Sequence, residues 1–152
     1  VRPKTSAAER AKVFVNGWNL STPAGLLIAA LGRAKVREGD AGLWLAEGYM
    51  LDFPVAGAFT VGNVLVTPSS FDRLGPDVLT HETAHTWQYM RWGWLFGPAY
   101  LLAMTWSWLR TGDRAARNHF ERAAGLASGG YQDVPLRRCF RRTTSRGSRR
   151  DD

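Results

Sequence analysis

Gly75-Pro76-Asp77-Val78-Leu79-Thr80-His81-Glu82-Thr83-Ala84-His85-Thr86-Trp87-Gln88 is the stretch on which the reading of this chain turns. Gly-Pro-Asp is a stop-and-restart signal, and Asp77 is the expected N-cap of the helix that follows. Residues four apart share one face of a helix. His81 and His85 are therefore placed to grip one divalent ion, with Zn²⁺ the ion this pattern suits, and Glu82, a third of a turn round, reaches a water on that ion as general base. The same pattern also occurs as ordinary exposed helix residues in proteins that bind no metal. Gln88 falls on the His face, either as a hydrogen-bond partner near the site or as an exposed polar residue. Val78, Leu79, Trp87 and Tyr89 are the residues expected to pack this helix into the core.

A catalytic zinc normally takes three protein ligands and keeps one position open, so a further donor is needed downstream. Asp113 to Leu126 reads as a helix N-capped by Asp113 and stopped by Gly129-Gly130. It carries both remaining candidates, His119 and Glu121. Two apart, they lie on nearly opposite faces, so one helix does not aim both at one metal.

Upstream, Ser6 to Asn16 reads as a short helix with a Ser6/Glu9 capping box. Pro23 opens the apolar run 24–31, closed by Gly32, which is too short to span a bilayer and suits a buried or interfacial helix. From Leu43 to Pro68 the character changes to strand and turn. Leu43-Trp44-Leu45 and the run Ala58 to Thr67 are rich in β-branched and aromatic residues and are broken by Gly48, Pro54 and Gly57. Strands followed by helices in a chain of 152 residues point to one α+β domain.

Phe59-Thr60-Val61-Gly62-Asn63, then His81-Glu82-Thr83-Ala84-His85-Thr86-Trp87-Gln88, then Asn118-His119-Phe120-Glu121-Arg122-Ala123-Ala124-Gly125 resembles the gluzincin metallopeptidases. More closely, it is similar to small bacterial proteins with a His-Glu-x-x-His helix and a later Glu-x-x-Ala helix. The resemblance covers residues 43–131. It implies a zincin-like domain with a small antiparallel strand region, a Zn²⁺ site of His81, His85 and Glu121, and hydrolysis of a peptide or protein substrate with Glu82 as base. Small Ala124 and Gly125, one turn past Glu121, agree with a close approach of the two helices. The strand before the metal helix is where such enzymes commonly pair an extended substrate; a plain core strand is the other reading of that run. The chain departs from the family at Gly125, where gluzincins often carry an Asp that orients a ligand His. Tyr131 and His119 are the nearest candidates for a donor to the tetrahedral intermediate. A competing expectation is a catalytically inactive membrane-associated or interaction domain, with a structural or degenerate zinc site.

The formal charge of +7 suggests an anionic partner until it is located. Residues 137–152 hold seven Arg against two Asp, leaving only +2 for residues 1–136. The division expected is therefore a metal-binding domain over 1–136 and a disordered Arg-rich tail over 137–152. No nucleic-acid motif accompanies the charge, so no nucleic-acid partner is expected. The lone Cys139 allows no intramolecular disulfide. No clear signal peptide opens the sequence, and a cytoplasmic or membrane-associated location is expected. Trp92 to Leu109 is eighteen residues without a charge, bracketed by Arg91 and Arg110, and five of the seven Trp lie between positions 87 and 108. Gly93, Gly97 and Pro98 interrupt it, so a segment that packs on the domain or dips into a membrane surface is expected rather than a span.

Overall fold

Ser6 and Glu9 do what their spacing predicts. In the computed structural model, which describes residues 5–54 and 56–140, Ser6 Oγ accepts from Glu9 N–H, and Glu9 Oε2 accepts from Ser6 N–H at 2.6 Å. That reciprocal cap opens helix α1 (Ala7–Trp18). Helix α2 (Ser21–Leu31) starts two residues ahead of Pro23 and ends at Gly32 as expected.

The sheet has the order β1-β2-β4-β3, from strands β1 (Lys35–Glu38), β2 (Trp44–Glu47), β3 (Phe59–Val61) and β4 (Val64–Thr67). It is mixed, which corrects the expected antiparallel strand region. β1 and β3 pair antiparallel with their neighbours, but β2 and β4 run parallel with Leu45 opposite Leu65. A parallel pair needs a crossover, and the residues between β2 and β4 supply one that also contains β3. The run Ala58 to Thr67 is thus two strands joined by the two-residue turn Gly62-Asn63. Gly62 sits at φ +63°, and a Cβ there would lie 2.4 Å from Thr22 N. Within that run β4 is a buried central strand, while β3 lies at a sheet edge. Strand β1 carries Lys35, Arg37 and Glu38 on exposed positions and has no apolar alternation to announce it.

Alternation along the strands separates two cores. Ala46, Val64 and Val66 face α2 and cluster with Ala29 and Tyr49, while Leu45 and Leu65 face Phe71 and Leu43 on the other side. Gly25 lets α2 press against the sheet, because a Cβ there would come within 2.4 Å of Val61 O.

The chain then makes the short helix α3 (Phe71–Leu74) and the long helix α4 (Pro76–Trp92). Gly75, at φ +84°, is the N-cap of α4 and Pro76 its first residue. This corrects the expectation for Asp77, which sits in the first turn, where its charge complements the helix dipole. Leu79 packs on the Leu45 and Leu65 cluster and Tyr89 is half-buried. Trp87 is not a core residue; it lies at the surface with Lys12 Nζ 5.1 Å from its ring centre.

After a 3-10 turn at Gly93–Leu95 comes helix α5 (Phe96–Thr111), with Pro98 accommodated in its first turn. Among the described residues no helix is long and apolar enough to cross a membrane. The last helix is far shorter than expected: α6 spans His119–Ala124, and its N-cap is Asn118, whose side chain accepts from Phe120 N–H. Asp113 caps instead an isolated turn, accepting from Ala115 and Ala116 N–H. That turn stops because Ser107 Oγ accepts the next amide, Arg117 N–H, and diverts the chain. Arg138–Phe140 form a 3-10 turn against the end of α5, with Phe140 6.2 Å from Trp106, ring centre to ring centre. The rest of the expected tail, 141–152, lies outside the described residues.

Candidate metal centre

Helix α4 buries an unusual face. Its residues removed from solvent are His81, Glu82, His85 and Thr86, all polar. Burying such groups costs free energy unless each finds a partner, so the partners identify what the site is built for.

His81 Nδ1 lies 3.0 Å from Gly125 O. A carbonyl oxygen only accepts, so Nδ1 carries the proton, and in the neutral ring Nε2 presents its lone pair. His85 Nδ1 lies 2.8 Å from Gln88 Oε1, and Gln88 Nε2 donates to Phe120 O at 2.9 Å. That second bond fixes the amide so that its oxygen meets His85, whose Nε2 is likewise left with a lone pair. The two Nε2 atoms face each other at 3.2 Å. Glu121, from the first turn of α6, brings Oε2 to 3.0 Å from His81 Nε2 and Oε1 to 3.7 Å from His85 Nε2. One donor atom each of His81, His85 and Glu121 falls within 4.8 Å of the others, all buried, and the three could hold a metal ion.

The fit is electrostatic as well as geometric. Three lone-pair atoms converge with no proton between them, and Glu121 Oε2, although close to His81, has no hydrogen-bond partner. An ion pair by distance that is unpartnered by geometry is what results when the imidazole has spent its proton on Gly125. A cation at the centre, either a proton or a metal ion, resolves the conflict. Burial disfavours charge on His81, but the Glu121 carboxylate beside Nε2 and the Gly125 carbonyl at Nδ1 outweigh it and raise its pKa. Burial likewise opposes ionised Glu121, yet His81 and Tyr100 hold its pKa below the usual carboxylate value. The site is thus tuned to keep an anion and attract positive charge.

Glu82 is buried on the same helix. Thr60, on the edge strand β3, donates its hydroxyl to Glu82 Oε2 at 2.6 Å. Burial raises the Glu82 pKa, and the Thr60 hydrogen bond and the two imidazoles only partly offset this. A carboxyl moved toward neutrality and held by one hydroxyl is suited to accept and return a proton.

The walls are aromatic. Phe96 and Tyr100 of α5 lie 6.0 and 6.2 Å from the His85 ring centre, and Tyr131 lies 5.9 Å from that of His81. Tyr131 is partly exposed; burial and the Glu121 and Glu82 carboxylates push its pKa up to about 12, so its phenol keeps its proton and can donate. Tyr100 donates to Glu121 Oε1 at 2.5 Å. Gly129 packs flat against His81, where a Cβ would come within 2.6 Å of Cε1.

Of the residues singled out in the sequence, His81, Glu82, His85, Gln88, Glu121 and Tyr131 come together. His119 is exposed, its ring against Phe120, and stands apart from the cluster. Gly125 holds the surprise. Among the described residues no carboxylate meets the His81 ring at Nδ1; the Gly125 carbonyl itself orients it, on a backbone held at φ +99°. Thr60, Tyr100 and Gly129 escaped sequence reasoning. A threonine in an apolar strand was a faint signal for the first; nothing local marks Tyr100. Compared with known proteins, the chain matches no family model, no curated protein and no solved structure.

Proposed function

We propose that this protein is a zinc-dependent hydrolase, most specifically a metallopeptidase of zincin-like design. The observation that carries the reading is the pair of imidazoles whose outer nitrogens are spent on Gly125 O and Gln88 Oε1, turning both Nε2 atoms onto Glu121 beside a buried Glu82. Zinc held by His81, His85 and Glu121 would supply Lewis acidity and lower the pKa of a water it binds to about 7. Glu82 would serve as the base that takes a proton from the attacking water and returns it to the departing amine, with Thr60 holding its carboxylate by a hydrogen bond. Tyr131 is the donor assigned to the developing oxyanion. Strand β3, which carries Thr60, is an edge of the sheet, the position at which an extended peptide would add as a further strand.

The test is hydrolysis of a quenched fluorescent peptide library by the zinc-loaded wild type and Glu82→Gln. The reading expects turnover in the first and its loss in the second with zinc retained; equal turnover in both defeats Glu82 as base. The nearly complete burial of all three donors favours one other reading, a structural zinc that only ties α4 to α6. Stoichiometric zinc with no turnover by the wild type on any peptide supports that one instead.

A further inference from the structure

We infer that helix α5 is a docking face for an anionic lipid bilayer, lying flat on its surface with the metal centre on the helix's inner side. The inner residues of α5 serve the domain: Phe96 and Ser107 are buried, and Tyr100 reaches Glu121. The outer residues do not. Leu95, Pro98, Leu101, Leu102, Trp106 and Leu109 recur at helical spacing and are all exposed, Leu102 at 73% and Trp106 at 52%. An apolar stripe of this width normally packs against a core.

Three further observations select a bilayer. Between Arg91 and Asp113 the only charged residue is Arg110, so the stripe has no acidic group to repel anionic headgroups. At its far end the guanidinium groups of Arg110 and Arg137 lie over the rings of Trp106 and Trp108, at 5.6 and 6.0 Å. Tryptophan paired with arginine at the border of an apolar face is the composition of an interfacial helix, with the rings at headgroup level and the cations toward phosphate. At 16 residues the helix is about 24 Å long, short of the roughly 30 Å of a hydrocarbon core, which fixes the orientation as flat.

The stripe also continues past the helix. Asn19 donates to Tyr89 O and lies beside Gly93, placing exposed Trp18 and Leu20 next to the turn that starts α5. Leu20 takes φ +62°, a conformation unfavourable for leucine, and there its side chain stays in solvent. That backbone makes the turn from α1 into α2, and it leaves the leucine side chain exposed.

The experiment is flotation of the full chain with vesicles of phosphatidylcholine alone and with about a third phosphatidylglycerol, beside Leu102→Gln/Trp106→Gln and, as an independent pair, Leu101→Gln/Leu109→Gln. Both pairs are exposed and leave the net charge unchanged, so far-UV circular dichroism should match the wild type. Flotation with the anionic vesicles that falls roughly tenfold or more in either pair supports the inference. The inference is overturned if the wild type stays at the bottom of the gradient, if both pairs float like the wild type, or if light scattering reveals a dimer that these substitutions dissociate.

Discussion

The inner face of α4 is polar and buried, whereas the outer face of α5 is apolar and exposed. Each inverts the rule that governs the rest of the domain, where Val64, Leu65 and Val66 fill the core and β1 turns charged residues to water. Folding alone favours neither inversion. The polar face is tolerated because its groups find partners, and opposite it on α6 the one buried carboxylate oxygen without a partner among the described residues, Glu121 Oε2, marks where a cation would fit. Among the described residues the apolar face has no partner. A domain departs from sequence-wide consistency where it does its work, and these two places lie on opposite sides of one helix, since Tyr100 and Phe96 of α5 wall the metal centre.

Substitutions can break this comparison at several strengths. The largest effect on function is expected for Glu82→Gln, a loss of peptide hydrolysis on the order of 10²–10⁴-fold, measured as kcat/KM, with zinc content unchanged. In the ordinary core, Leu65→Ala should cost about 2–5 kcal/mol in urea unfolding and leave metal stoichiometry intact, which separates folding from the site. Gly129→Ala forces a methyl into the His81 ring and should destabilise by about 1–3 kcal/mol while also weakening zinc binding; a fully stable variant with normal zinc would show that His81 can move. Gln88→Ala removes the group that fixes the His85 tautomer, together with its bond to Phe120 O, so zinc affinity should fall about 10–100-fold in a competition assay with a chromophoric chelator. The smallest effect is expected at the inverted surface: Leu102→Gln should change stability by less than about 0.5 kcal/mol, and a larger loss would mean that α5 is packed where the structure leaves it open.

What the sequence could convey follows from how local each signal is. The capping box at Ser6, the stop at Gly75-Pro76 and the helical spacing of His81 and His85 are encoded within a few residues, and they stand in the structure. Glu121 needed the family resemblance to be preferred over His119, because spacing alone only excluded both together. The short α6 was misjudged because Ser107, ten residues upstream of Arg117, captures an amide that a continuous helix would need. The parallel pairing of β2 with β4 and the exposed strand β1 are products of tertiary context, which alternation cannot reveal. The same applies to Tyr100 and Gly129, which join the site through contacts with Glu121 and His81 that no local pattern announces. Gly125 is the instructive case: as a side chain it reads as a missing ligand partner, and only the fold reveals that its carbonyl does the orienting.

Zinc per chain, determined by elemental mass spectrometry on the purified wild type beside His85→Ala, Glu121→Ala and His119→Ala, tests the metal centre most directly. The expected result is close to one zinc per chain in the wild type and in His119→Ala, and a loss of it in the other two. A wild type that takes up no zinc from zinc-containing buffer would mean that the cation at this centre is a proton on His81 rather than a metal ion, and a Glu121→Ala variant that keeps its zinc would contradict Glu121 as a ligand.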